Sequence, residues 1–142
     1  MAFLGSMDIS ASGLTAQRMR MDIISQNIAN SGTTRTEAGG PYRRRVAVLG
    51  EQQPNSFASY LGAASKKGGV AVTAIVEDMS DFIMEYDPEH PDAGADGYVR
   101  LPNVDQVKEM IDMMSATRSY EANVTAFNAT KSMALTALEI GR

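Results

Sequence analysis

The sequence predicts a mainly α protein with a small β-rich middle, in which the amino- and carboxy-terminal helices pair like a coiled coil and short strands and loops lie between them. Heptad-spaced seams at both ends of the 142-residue chain are the first observation behind this prediction. The second is a middle section of short β-branched runs separated by glycine and proline. Residues 1–32 and 103–142 are expected to form one helical core, and residues 33–102 an outer β-rich region.

In the first segment the seam runs Phe3, Met7, Ser10, Leu14, Gln17, Met21, Ile24 and Ile28. Alternating steps of four and three keep one stripe of a helix facing a partner. Asn30-Ser31-Gly32 supplies turn chemistry that ends the helix. The polar stretch from Thr33 closes with Gly39-Gly40-Pro41, which forbids regular structure.

Tyr42 to Leu49 reads as a strand with Val46 and Val48 on one face, and Arg43, Arg44 and Arg45 stand at its start. This arginine run reads as an exposed strand end or as a docking patch for an acidic protein surface, with specific nucleic-acid binding the least favoured reading. Glu51 to Gly69 is polar and small and reads as a loop. Val70 to Glu77 is β-branched, and Phe82, Met84 and Tyr86 alternate with more polar residues; these two strands are expected to pair as a hairpin or small sheet.

The carboxy-terminal seam is Met110, Met113, Thr117, Tyr120, Val124, Phe127, Lys131, Ala134 and Leu138. Pro102 and Asn103 mark the helix start, with Asn103 as the cap, Gln106 completing a capping box and Asp105 near the positive end. Gly141 marks the stop. Both seams contain Met, Ser, Gln, Thr or Lys where Leu and Ile would grip harder, so the helices are expected to be marginal without neighbours.

Composition narrows the function. Seventeen acidic against thirteen basic residues give a net charge of −4, unsuited to a nucleic-acid protein, which needs a concentrated basic excess. With no cysteine there is no disulfide or thiolate chemistry. No apolar run approaches the roughly 18 residues of a membrane span, and the start of the chain, with Asp8 and no basic flank, does not read as a secretory signal. Work outside the cytoplasm would need another export route.

The turn region from Asp87 to Tyr98 holds the single histidine, His90, among carboxylates. A calcium loop starting at Asp92 fails, because Gly94 takes the third ligand position and Asn103 the place of the bidentate glutamate. One histidine is too few for an ordinary zinc site, and neither a phosphate-binding glycine loop nor a nucleophile elbow is present. No catalytic, cofactor-binding or metal-binding residue is assigned and no cofactor is expected. Three classes stay open on residues alone: a structural assembly protein, a stand-alone helical adaptor, and a small metal-dependent hydrolase.

Ser10-Ala11-Ser12-Gly13-Leu14-Thr15-Ala16-Gln17-Arg18 and Asn27-Ile28-Ala29-Asn30 resemble the amino-terminal signature of the rod, hook and filament-type axial proteins of bacterial flagella. Gly39-Gly40-Pro41-Tyr42-Arg43-Arg44, Tyr86 to Asp92, Gly97 to Val104, Glu109-Met110, Arg118 to Asn123 and Lys131-Ser132-Met133 resemble its proximal-rod branch. This resemblance implies a tubular shaft with packed terminal helices inside and a β-rich layer outside, lying in the periplasmic space and transmitting torque. It implies as partners the proximal and distal rod proteins, other copies of the chain, a rod-to-ring adaptor, and the flagellar export apparatus, which would replace a cleaved signal peptide. Both seams then become assembly seams.

Overall fold

In the computed structural model, residues 2–37, 39–52 and 68–140 are described. Helix α1 spans Ala2–Ala29 and helix α2 spans Gln106–Ile140. Strands β1 (Arg45–Glu51), β2 (Val70–Glu77), β3 (Ile83–Tyr86) and β4 (Tyr98–Leu101) lie between them. At about 1.5 Å per residue the helices are roughly 42 and 52 Å long.

The helices are antiparallel. Asn27 bonds Glu109, Arg20 pairs with Asp112, Thr117 reaches Met21, and Gly13 faces Asn123. Small residues set their close approach: Gly13, Ala16 and Ala116 are buried, and a Cβ on Gly13 would stand 3.0 Å from Asn123 Oδ1. Ile23 and Ile24 supply the apolar grip.

The helix-pair seam is shifted from the one that hydropathy predicts. On α2 the inward residues include Glu109, Met113, Ala116, Tyr120, Asn123, Phe127, Thr130 and Ala134, of which Glu109 and Ala116 are fully buried and Thr130 nearly so. Met113, Tyr120, Phe127 and Ala134 were expected there, and Val124 lies half-buried beside them. Met110 and Thr117 stand exposed one residue off the seam. Leu138 is exposed for another reason: continuing the Gly13–Asn123 register places it past the start of α1. On α1, Ile24 is buried and Gln17 half-buried, while Met7, Leu14, Met21 and Ile28 are half-buried flanks. Gln17 Oε1 is buried without a hydrogen-bond partner among the described residues.

Strands β1 and β2 form an antiparallel pair from Arg45 opposite Glu77 to Glu51 opposite Val70, with an irregularity between Val48 and Leu49. The pair lies along α1. At one end Asn27 holds the Arg45 backbone, and at the other the Val70 N–H donates to Ser12 Oγ at 3.0 Å. Strands β3 and β4 pair separately, Ile83 opposite Leu101 through Tyr86 opposite Tyr98.

The expected hairpin of β2 with β3 is therefore corrected. Residues between them are engaged elsewhere: the Asp78 N–H donates to the Arg44 carbonyl, and Phe82 lies under Arg43. Each strand pairs instead across its own connection, and β4, which reads in sequence as the edge of a turn, completes the second sheet. Strand β1 starts at Arg45 rather than Tyr42, because the Tyr42 N–H bonds the Thr33 carbonyl and the Arg44 N–H bonds Asn103 Oδ1. The α2 cap is also corrected. Asp105 Oδ1 accepts from the Val107 and Lys108 N–H groups, so it is the capping side chain, while Asn103 and Gln106 bond elsewhere. Most of the expected 51–69 loop, and Gly141, lie outside the described residues.

Candidate functional site

Where the helix pair meets the strands, polar residues from five segments close into one buried knot. Asn27 uses its full hydrogen-bonding capacity there. Its Oδ1 accepts from Tyr42 OH at 3.0 Å and the Arg45 N–H at 3.0 Å, and its Nδ2 donates to the Arg45 carbonyl at 2.8 Å and Glu109 Oε2 at 2.9 Å. Glu109, 0% exposed, accepts at its other oxygen from Arg44 Nε at 2.6 Å.

Arg44 is the hub. Its guanidinium also lies 3.5 Å from Asp78 Oδ2 and 3.4 Å from Asp112 Oδ2, and Asp112 is shared with Arg20 at 3.4 Å. Burial alone would lower the Arg44 pKa, but the hydrogen bond and charge of Glu109, with Asp112 and Asp78, outweigh it and raise the value. Asn103 braces the far side: its Nδ2 donates to the Asp78 carbonyl at 2.9 Å and Ser80 Oγ at 2.8 Å. Burial raises the Tyr42 pKa; Arg45 opposes this, and Glu109 and Glu77 reinforce it. Every charge in the knot faces an opposite one, so its chemistry is cohesion between α1, α2, β1 and the segment after β2.

The arginine run does not form one patch. Arg44 turns inward, while Arg43 lies 4.3 Å from the Phe82 ring centroid and donates to the Asp78 and Ser80 carbonyls at 3.2 and 3.3 Å. Arg45 lies 5.8 Å from the Tyr42 ring centroid and pairs with Glu77 at 3.7 Å. As a docking patch the run is thus corrected at Arg44, whose charge is taken up inside the fold by three carboxylates.

Asp78 gives the knot an acid-sensitive edge. The Ser80 N–H, then its hydroxyl, then Arg44 hold the Asp78 carboxyl below its ordinary value of 3.8. A carboxyl depressed on folding stabilises the fold above its unfolded value, and that contribution is lost as pH falls through the folded value. Asp78→Asn is therefore expected to lower stability at neutral pH and to flatten its fall below pH 3.8. Urea unfolding of both chains across that range checks this; equal slopes would rule it out.

A second feature is the uncovered side of α2. Val107, Ile111 and Met114 recur at helical spacing opposite α1, with Met110 beside them, and all four are exposed, Ile111 at 58%. Such a stripe is what a helix shows when it packs against something besides its own chain. Among the described residues no helix is long and apolar enough to cross a membrane, and no group of three or more His, Asp or Glu residues is placed to hold a metal.

The knot gathers residues from separate signature stretches, namely Asn27, Tyr42, Arg44, Asn103 and Glu109, and the comparisons with known proteins agree. Residues 7–35 match the family model described as flagella basal body rod protein. Residues 95–140 match that of the flagellar basal body rod FlgEFG protein C-terminal. The flagellar basal-body rod protein FlgC of Bacillus subtilis is 53% identical over 96% of this chain and 97% of its own. The chain belongs to the FlgC family of flagellar basal-body rod proteins. FlgC of Borreliella burgdorferi is 45% identical over 99% and 98% of the two chains, and that of Escherichia coli O6:H1 is 42% identical over the whole of both. This FlgC-family chain is a structural component of the basal-body rod. The two matched regions cover α1 from Met7 onward and all of α2, so Asn27 and Glu109 bind the FlgC-family helices to each other, while Tyr42 and Arg44 come from the segment between.

Proposed function

We propose that this chain is a subunit of the proximal rod that acts by assembly and not by catalysis, passing torque through helix-on-helix contacts with neighbouring subunits. The observation that carries this reading is the exposed stripe Val107, Ile111 and Met114 on a helix whose opposite side is already packed on α1. Neighbouring helices at such faces resist shear because packed interfaces approach the density of a protein interior. In this reading, residues 1–32 and 103–142 form the inner helical layer, residues 33–102 the outer one, and the outward faces of both helices meet other subunits. The seam residues serve assembly by holding the helix pair that presents those faces.

Further partners under this proposal are copies of the chain, the other proximal and distal rod proteins, a rod-to-ring adaptor, and the export apparatus that delivers the subunit to the periplasmic space without a cleaved signal peptide. The test uses cells that lack the native gene and produce an epitope-tagged version of this chain. Immunolabelled basal bodies should carry the tag in the rod, near its membrane ring. Swimming cells whose isolated basal bodies lack the tag would refute the proposal.

A further inference from the structure

Opposed residues in an antiparallel pair point to the same side. The β3–β4 sheet therefore places Met84, Arg100, Tyr86 and Tyr98 together on one face, while Val99, opposite Glu85, is buried on the other. All four residues of the first face are exposed, Tyr86 at 65%. The two rings stand edge to face, with centroids 5.3 Å apart and planes at 66°.

The turn behind them holds this arrangement. Gly97 has φ +76°, and a Cβ there would come within 2.9 Å of Tyr86 Cε2, so the ring lies over a position only glycine fills easily. The Asp87 N–H donates to the Gly97 carbonyl at 3.0 Å, and the Gly94 N–H to the Tyr98 carbonyl at 3.0 Å. A fixed turn that presents two tyrosines to solvent does little for a core; it builds a platform in advance of a partner.

Beside the platform opens a cleft of about 420 Å³, lined by Arg35, Gly40, Pro41, Tyr98 and Arg100 among others. Its one carboxylate, Asp92, accepts from Thr34 Oγ1 at 2.8 Å. The ion pairs among the described residues are made by Arg20, Arg44 and Arg45, so neither Arg35 nor Arg100 has a carboxylate at pairing distance.

We propose that the outer face of the β3–β4 sheet and this cleft form a docking surface for a carboxylate-bearing segment of a neighbouring rod subunit, a proposal that rests on the rod reading above. Tyrosine, methionine and arginine are the residues enriched where proteins meet. Two guanidinium groups that pair with no carboxylate among the described residues, on a chain whose acidic residues outnumber its basic ones, call for carboxylates, which arginine binds in bidentate fashion. The tyrosines supply rigid contact area, and Arg35 and Arg100 fix the register.

The test places a photo-crosslinking amino acid at position 84 of the full chain, in cells that assemble rods, with a second such chain labelled at position 111 on α2. Position 84 should capture a rod-protein peptide containing Asp or Glu. Arg35→Glu together with Arg100→Glu should cut that yield about tenfold or more, the effect of losing roughly 1.4 kcal/mol or more of contact energy, with the position-111 product unchanged. No product from position 84 in rods that crosslink through position 111, a glycan or lipid product, or a yield that ignores both substitutions would overturn the proposal. If position 111 also captures no rod protein, the reading of the outward face of α2 as a subunit contact fails and this proposal with it.

Discussion

Glu109→Ala is expected to destabilise the purified chain by about 3–5 kcal/mol, the cost of breaking a buried ion pair from one side. Arg44 Nε would lose its 2.6 Å acceptor, and Asn27 Nδ2 would keep one of its two. The remaining carboxylates, Asp78 and Asp112, lie 3.5 and 3.4 Å from the guanidinium and are a third exposed, so they replace little of the loss. A domain of this size is stable by only about 5–15 kcal/mol, which makes the loss a large share of the total. Glu109→Gln keeps the shape and one acceptor oxygen and should lose less than the alanine variant. Lys108→Ser, on the neighbouring exposed position, should stay within about 0.5 kcal/mol. Urea unfolding followed by circular dichroism measures all three; an alanine variant as stable as the serine variant would show that the knot does not hold the helices.

The knot also explains what the sequence does and does not reveal. Both long helices, the β2 strand and the overall architecture follow from spacing and β-branching. The seam register does not, because its inward positions include Gly13, Ala16, Asn27, Glu109, Ala116, Asn123 and Thr130, small or polar residues that hydropathy passes over in favour of the larger apolar residues beside them. A stripe of small residues at heptad spacing, joined by a single buried asparagine and glutamate, is the signal that would have found it. Strand pairing was hidden for a related reason: the segment after β2 is committed to Arg44 and Asn103 by contacts far apart in sequence. The arginine run was visible as charge, but only the fold shows that its middle member faces inward.

Ile111→Asp should abolish assembly while leaving the chain folded, and it tests the outward face of α2 where a seam substitution cannot. Val124 and Phe127 are half-buried against α1, so a charge at either would weaken the helix pair itself and confound folding with assembly. Ile111 is 58% exposed in the single chain, where an aspartate stays hydrated and costs about 0.5 kcal/mol or less. Against a neighbouring helix the same carboxylate would be desolvated between Val107 and Met114 without a partner, at a cost of several kcal/mol. The two environments therefore predict opposite results for one substitution. Purified Ile111→Asp should unfold at the same urea concentration as the parent chain, yet cells that depend on it should not swim, and their basal bodies should lack the distal rod, hook and filament. Swimming cells with complete flagella would show that this face of α2 touches no neighbour, and the stripe of Val107, Ile111 and Met114 would then be surface without an assembly role.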